Sequence, residues 1–234
     1  MLRRFAFSFV AVAMSFAPLA ASAQSNPVVV ELFSSQGCSS CPPADAYLEE
    51  LAKDPNVLPL AFHVDYWDRL GWKDTLGSNA NTQRQYAYSK SLGNRMVWTP
   101  QFIVDGEEYT RGNFRAMVRE YVEARKGRAP QAEITIRQSG GGYVATIKPL
   151  SSGLSSSDIM LVAYTALQDV AIKRGENAGL TIRYVNTVYQ WERLAGWNGR
   201  NTVDVRVSGN VSPPFAILVQ EAGLGEYLAA QAVR

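Results

Sequence analysis

Val-Glu-Leu-Phe-Ser-Ser-Gln-Gly-Cys-Ser-Ser-Cys-Pro-Pro-Ala-Asp, residues 30–45, passes from an apolar run through a polar turn into a proline pair, and its reading decides the rest. Residues 28–34 are short, apolar and rich in valine, with one acid, Glu31, which predicts a buried strand. Ser34 to Cys41 is a turn containing Gly37. Pro42 and Pro43 suit the first turn of a helix, where a missing N–H costs nothing. Tyr47, Leu48 and Leu51 continue it at helical spacing, Asp45, Glu49 and Glu50 are expected to face out, and Asp54-Pro55-Asn56 ends it.

Outward from this core, residues 57–64 predict a second strand, 65–77 an aromatic loop, and 79–92 a helix stopped by Gly93. Trp98-Thr99-Pro100 precedes a strand at 101–104, Asp105-Gly106 marks a hairpin turn to 107–110, and 113–126 predicts a helix. Alternating strands and helices over about 100 residues predict an α/β unit at 24–128. Residues 127–130 are the candidate boundary. Beyond it, 132–137, 143–148, 159–167, 180–189, 203–207 and 215–219 read as strands, and helical periodicity returns only at 225–233. Residues 129–234 are therefore expected to form a mainly antiparallel, sandwich-like β domain, or else an extension of the first sheet.

The N-terminus predicts an export signal over residues 1–23: Arg3 and Arg4, an apolar run from Phe5 to Leu19, and Ala21-Ser22-Ala23 as a small-x-small cleavage site. That run is shorter than the roughly 20 residues a spanning helix needs, so no membrane span is expected after cleavage, and the protein is expected to be periplasmic or secreted. Removing this segment takes away two arginines and lowers the formal charge from +2 to 0. A neutral chain has no electrostatic reason to bind nucleic acid. With 47% hydrophobic and 19% charged residues, the composition is that of a chain with a substantial core.

The two cysteines, Cys38 and Cys41, are three positions apart. A bridge between them closes almost no loop and removes little unfolded-state entropy, which favours chemistry over stapling. At a helix N-terminus, Cys38 is expected to be exposed with a lowered thiol pKa, and Cys41 to be shielded as the resolving thiol. Two other readings stay open. One is an inert closed bridge. The other is a metal site built from Cys38, Cys41 and His63 with a carboxylate or water, although no metal is the expectation.

The stretch 30–45, with His63-Val64-Asp65-Tyr66-Trp67, Trp98-Thr99-Pro100-Gln101 and Gly175-Glu176-Asn177, resembles a family of exported bacterial proteins catalogued as domain of unknown function 1223, with a thioredoxin-like fold. The resemblance implies an α/β thioredoxin-like N-terminal domain followed by the β domain. It also implies a cis-proline at Pro100 packed on the cysteine pair, with Thr99, Pro100 and Trp98 holding an extended partner. Two features depart from the usual thioredoxin pattern: Gly37 stands before Cys38 where a tryptophan is common, and Ser39-Ser40 separates the cysteines.

Glu31, seven residues before Cys38, is the candidate buried acid that takes the resolving thiol's proton; the other reading has it point outward or pair with an arginine. Trp67, Trp72 and Trp98 are expected near the cysteine turn as an apolar platform, or else as core and loop packing. Gly175-Glu176-Asn177 reads as a loop of the second domain, either closing over the cysteines or standing apart from them. The expected function is a cell-envelope thiol–disulfide oxidoreductase with Cys38, Cys41 and Glu31 catalytic. It needs no cofactor, and its partner is an envelope protein thiol or disulfide. The alternatives are a non-enzymatic binding module and a metal- or haem-pathway thiol protein.

Overall fold

The computed structural model describes residues 26–207 and 211–234, so the export signal expected at 1–23 lies outside the described residues. The elements run β1 (Val28–Ser34), α1 (Pro42–Leu51), β2 (Val57–His63), α2 (Asn79–Ser91), β3 (Gln101–Val104), β4 (Glu108–Arg111), α3 (Arg115–Arg125), β5 (Ala132–Ser139), β6 (Gly142–Pro149), β7 (Ser157–Ala171), β8 (Thr181–Trp197), β9 (Val203–Val207), β10 (Phe215–Glu221) and β11 (Tyr227–Val233).

The expected architecture, an α/β thioredoxin-like domain followed by a separate sandwich-like domain, is corrected here. Among the described residues the protein is mostly β, with three α-helices, and strands from both halves share one eight-stranded mixed sheet ordered β11-β10-β7-β8-β2-β1-β3-β4. The physical reason lies at β2. Its seven residues are all buried, and its free edge would leave backbone N–H and C=O groups unpaired. β8 runs parallel to it there, with Ala61 opposite Thr187. Pro59 has no N–H to give, and its carbonyl instead accepts from Asn186 Nδ2 at 2.8 Å.

Side-chain alternation along the strands builds both faces. Val29, Phe33, Leu58, Leu60, Phe62, Ile103, Met160, Val162 and Leu218 pack on one face with Tyr88 of α2. Val28, Val30, Leu32, Val57 and Ala61 pack on the other with Ala44, Tyr47 and Leu48 of α1 and Val118 and Val122 of α3. Next to α1 and α3, the three-stranded sheet β5-β6-β9 covers Ile159, Leu161, Phe215, Ile217 and Val219 with Ile134, Ile147 and Val205. Each fully buried Leu or Phe contributes about 1.5–3 kcal/mol.

The hairpin turn forms as expected, with Asp105 at φ 53° and Gly106 at φ 81°. A Cβ at Gly106 would run into the Gly225 carbonyl. Residues 225–233, expected to be helical, instead contain β11, which pairs antiparallel with β10. Their helical spacing is overridden by a buried edge that pairs the run. Among the described residues, no helix is long and apolar enough to cross a membrane.

Candidate functional site

Cys38 and Cys41 are joined in a disulfide between β1 and α1. Cys41 is the N-cap of α1 and its carbonyl accepts from Ala44 N at 2.8 Å and Asp45 N at 3.1 Å. Pro42 and Pro43 have no N–H, so the first turn offers a Cys38 thiolate few backbone donors. The helix dipole and the Ser40 hydroxyl, 3.3 Å from Cys38 Sγ, are what remain. Ser40 Oγ also lies 3.4 Å from the Thr99 carbonyl, to which it donates.

The Thr99–Pro100 peptide is cis. Trp67 Nε1 donates to Thr99 Oγ1 at 2.8 Å, and the Trp67 Cβ lies against Gly37, where an added Cβ would sit 3.1 Å away. Gln85 Nε2 holds the Trp98 carbonyl at 2.7 Å. The Trp98 ring itself points to β4, stacking under Arg111 and beside Tyr109. Thr99 and Pro100 are thus brought to the cysteine turn, whereas the Trp98 ring packs on β4. Trp72 reaches the turn through Nε1, which donates to Gln36 Oε1 at 2.8 Å.

The expectation that Cys38 is exposed is corrected: it is 1% exposed and Cys41 is 0% exposed. A segment distant in sequence binds the backbone of this turn, with Glu176 lying 137 residues beyond Ser39. Glu176 Oε2 accepts from Ser39 N at 3.2 Å, and Asn177 Nδ2 donates to the carbonyls of Gln36 and Cys38, both at 2.9 Å. This segment is the turn between β7 and β8. Ser39 and Ser40 are exposed at its margin.

Glu31 is also placed differently from the expected role. Its carboxylate accepts from Arg84 Nε at 2.6 Å and Nη2 at 3.0 Å, and from the hydroxyls of Tyr88 and Tyr227 at 2.5 and 2.6 Å. Burial opposes charge on Arg84, and Glu31 with the two phenols more than offsets it, so the guanidinium stays charged. The reason is parity. Glu31 shares a face of β1 with Val29 and Phe33, on the α2 side, whereas α1 and its cysteines lie on the Val30 and Leu32 side.

The acid on the cysteine side is Asp45, one helical turn beyond Cys41. Burial pushes its pKa up to about 6, against the opposing pull of His63 and the Ser34 hydroxyl. The Ser34 hydroxyl lies near enough to act on it, but neither Asp45 oxygen makes a hydrogen bond of normal geometry. Ser34 Oγ, His63 Nε2 and Tyr184 Oη are buried without hydrogen-bond partners in the same group. His63 stands beside Ser34 in the β1–β2 register, and its ring meets Tyr184 edge-on at 4.7 Å. His63 Nδ1 pairs with Asp74 Oδ2 at 2.8 Å, and the same oxygen accepts from Gln36 N at 2.7 Å, linking the cluster to the cysteine turn. Burial lowers the His63 pKa, but Asp74 and Asp45 more than offset it and raise it overall. Among the described residues, no group of three or more His, Cys, Asp or Glu side chains is placed to hold a metal ion.

Sequence reasoning did not assign Asp45, Asp74 or Gln36 a role in the site, and its outward placing of Asp45 is corrected, because that side chain is buried. Of the two readings of Gly175-Glu176-Asn177, the one that brings the loop to the cysteine turn agrees with the bonds of Glu176 and Asn177. Asp45 had a usable signal, because it follows Cys41 by four residues in a predicted helix and so shares its face. Nothing local marks the contact of Asn177 with Cys38.

A family model described as "Protein of unknown function (DUF1223)" matches residues 29–220. The chain is also similar to a crystal structure of protein AGR_C_4864 from Agrobacterium tumefaciens, with 29% identity and a TM-score of 0.75, over 91% of this chain and 96% of that one. No curated protein matches.

Proposed function

The chain belongs to this DUF1223 family, and from that premise we propose that it is a thiol–disulfide oxidoreductase of the cell envelope whose redox group is Cys38–Cys41. The observation that carries this reading is the bridge itself. It spans three positions at the start of α1, beside Ser40 and the cis Thr99–Pro100 peptide, where it contributes little as a staple. The export pattern at residues 1–23 supports the location, and an envelope protein dithiol or disulfide is the partner class. The cysteines carry the electrons, so the exchange itself needs no further redox group.

In the oxidising direction, a partner thiolate attacks Cys38 Sγ. The Cys38–Cys41 bond breaks and Cys41 leaves as a thiolate. The partner's second thiolate then attacks the partner sulfur of the mixed disulfide and expels Cys38. The partner loses two electrons and gains a disulfide, and the protein pair gains two electrons and takes up two protons. The reducing direction is the reverse. Asp45, rather than Glu31, is the group we assign to proton exchange with Cys41. It lies one helical turn on, it is buried, and its pKa of about 6 keeps a proton within reach of neutral pH.

The reading is tested by mixing the oxidised protein with a peptide carrying one pair of thiols. Loss of peptide thiols matched one for one by reduction of Cys38–Cys41 supports it. No exchange, or equal exchange by the Cys38→Ser/Cys41→Ser variant, ends it.

A second reading rests on a different observation. A cavity of about 320 Å³ between α2 and the β7–β8 pair is lined by Arg84, Met160, Trp191 and Leu224 and suits a binding module. Full rescue of a deletion strain by the Cys38→Ser/Cys41→Ser variant favours this second reading over exchange.

A further inference from the structure

The segment that binds the backbone beside Cys38 is built, not incidental. The tip between β7 and β8 is held by its own backbone bonds: Gly179 N donates to the Ile172 carbonyl at 2.8 Å and Ile172 N to the Leu180 carbonyl at 2.9 Å. Ile172, Ile182 and Tyr184 anchor it in a small core with Trp72 and Leu76 packed against it. Gly175, at φ +78°, lies so close to Trp72 that an added Cβ would sit 3.0 Å from the Trp72 Cβ. The tip is therefore docked on the Trp72–Gln36 side of the turn through side chains that are mostly buried.

From this platform the two polar side chains reach the redox pair in different ways. Asn177 is 4% exposed and places one amide nitrogen on two carbonyls, Gln36 O and Cys38 O, on either side of Gly37. Glu176 takes the N–H of Ser39, the backbone donor next in sequence to Cys38. With Pro42 and Pro43 lacking N–H groups, that donor is one of few a sulfur anion at Cys38 could use. The backbone on either side of Cys38 is thus held by the β7–β8 tip, beside a disulfide that is itself buried.

We propose that residues 175–177 are a guard on the redox pair: an incoming thiol reaches Cys38 only when this segment lifts, and Asn177 and Glu176 set how readily it does. The inference deepens the exchange reading and rests on it for its purpose. The chemistry it admits is that of a partner able to displace the tip, such as a polypeptide chain offering its own carbonyl and N–H groups to Asn177 and Ser39. A small thiol gains nothing from lifting the tip.

The test is the rate at which dithiothreitol reduces Cys38–Cys41 in the purified protein, read by alkylation and mass at fixed pH. Loss of the two Asn177 hydrogen bonds in Asn177→Ala should raise that rate about ten-fold or more, and Glu176→Gln should raise it by a smaller factor. A rate within two-fold of the unaltered protein in Asn177→Ala overturns the guard. The urea dependence of the rate in the unaltered protein supplies a second reading that needs no variant. A slope well below that of global unfolding is expected for local lifting, and an equal slope overturns the proposal. The two proposals fail separately. If Asn177→Ala opens the pair to dithiothreitol while neither protein exchanges with the peptide dithiol, exchange falls and the guard stands. If exchange proceeds and the rates do not differ, the guard alone falls.

Discussion

Two buried polar clusters sit on opposite faces of β1 and β2, and they are built on opposite principles. On the α2 face, Glu31 receives four donor contacts from Arg84, Tyr88 and Tyr227, and Gln220 Nε2 adds a bond to Tyr88 Oη at 2.8 Å. On the α1 face, Asp45 leaves both oxygens without a hydrogen bond, and Ser34, His63 and Tyr184 each leave a buried atom unmatched. Buried polar groups are matched as a rule, so the second cluster is the one that asks for a reason. The first has one charge arrangement that satisfies it and resists change. In the second, Asp45 can gain or lose a proton without breaking a hydrogen bond of its own, and it lies one helical turn beyond Cys41.

The largest expected effect breaks the satisfied cluster. Arg84→Met leaves Glu31 buried with no cation, and urea unfolding should show a loss of about 3–5 kcal/mol. A loss under about 1 kcal/mol would show that the two clusters do not differ as described.

Asp45→Asn tests the other side through pH. Asp45 titrates near 6 in the folded protein against an ordinary 3.8, so the folded state binds more protons between those values and stability falls as pH rises across them. His63, raised in the fold, acts in the same sense: its contribution is present below its unfolded value and is lost as pH climbs through the folded one. Asp74 is lowered, and its contribution is lost only as pH falls below the ordinary carboxylate range. Asp45→Asn should therefore remove a fall on the order of 2 kcal/mol between pH 4 and 6, measured as urea midpoints at both pH values. Parallel pH curves for the two proteins would mean Asp45 is not the titrating group.

The smallest effect sits at the sulfur. Ser40→Ala removes the hydroxyl 3.3 Å from Cys38 Sγ, and alkylation of the reduced pair at pH 7 should slow about three-fold. An unchanged rate would mean that the hydroxyl does not stabilise the thiolate.

Much of this was legible locally. Valines at 28–30, the proline pair at 42–43 and the Asp105-Gly106 turn announced their elements, because strand alternation, helix starts and hairpin turns are short-range properties. The face of Glu31 was legible too, by counting alternation from Leu32, but the analogy to a buried acid led to the wrong side of the strand. Joining both halves in one sheet depends on β8 meeting β2 at Ala61 and Thr187, and the hold on the Cys38 carbonyl depends on Asn177. Both are contacts between residues more than 120 positions apart that no periodicity encodes.

The central claim is that Cys38–Cys41 is a working redox pair. Its most direct test is equilibration of the purified protein in glutathione buffers, long enough for the covered pair to react, with the dithiol fraction read by alkylation and mass. The account predicts a midpoint within the span of exchange proteins, about −120 to −270 mV. A bridge that stays closed below about −300 mV would contradict it and make the pair structural.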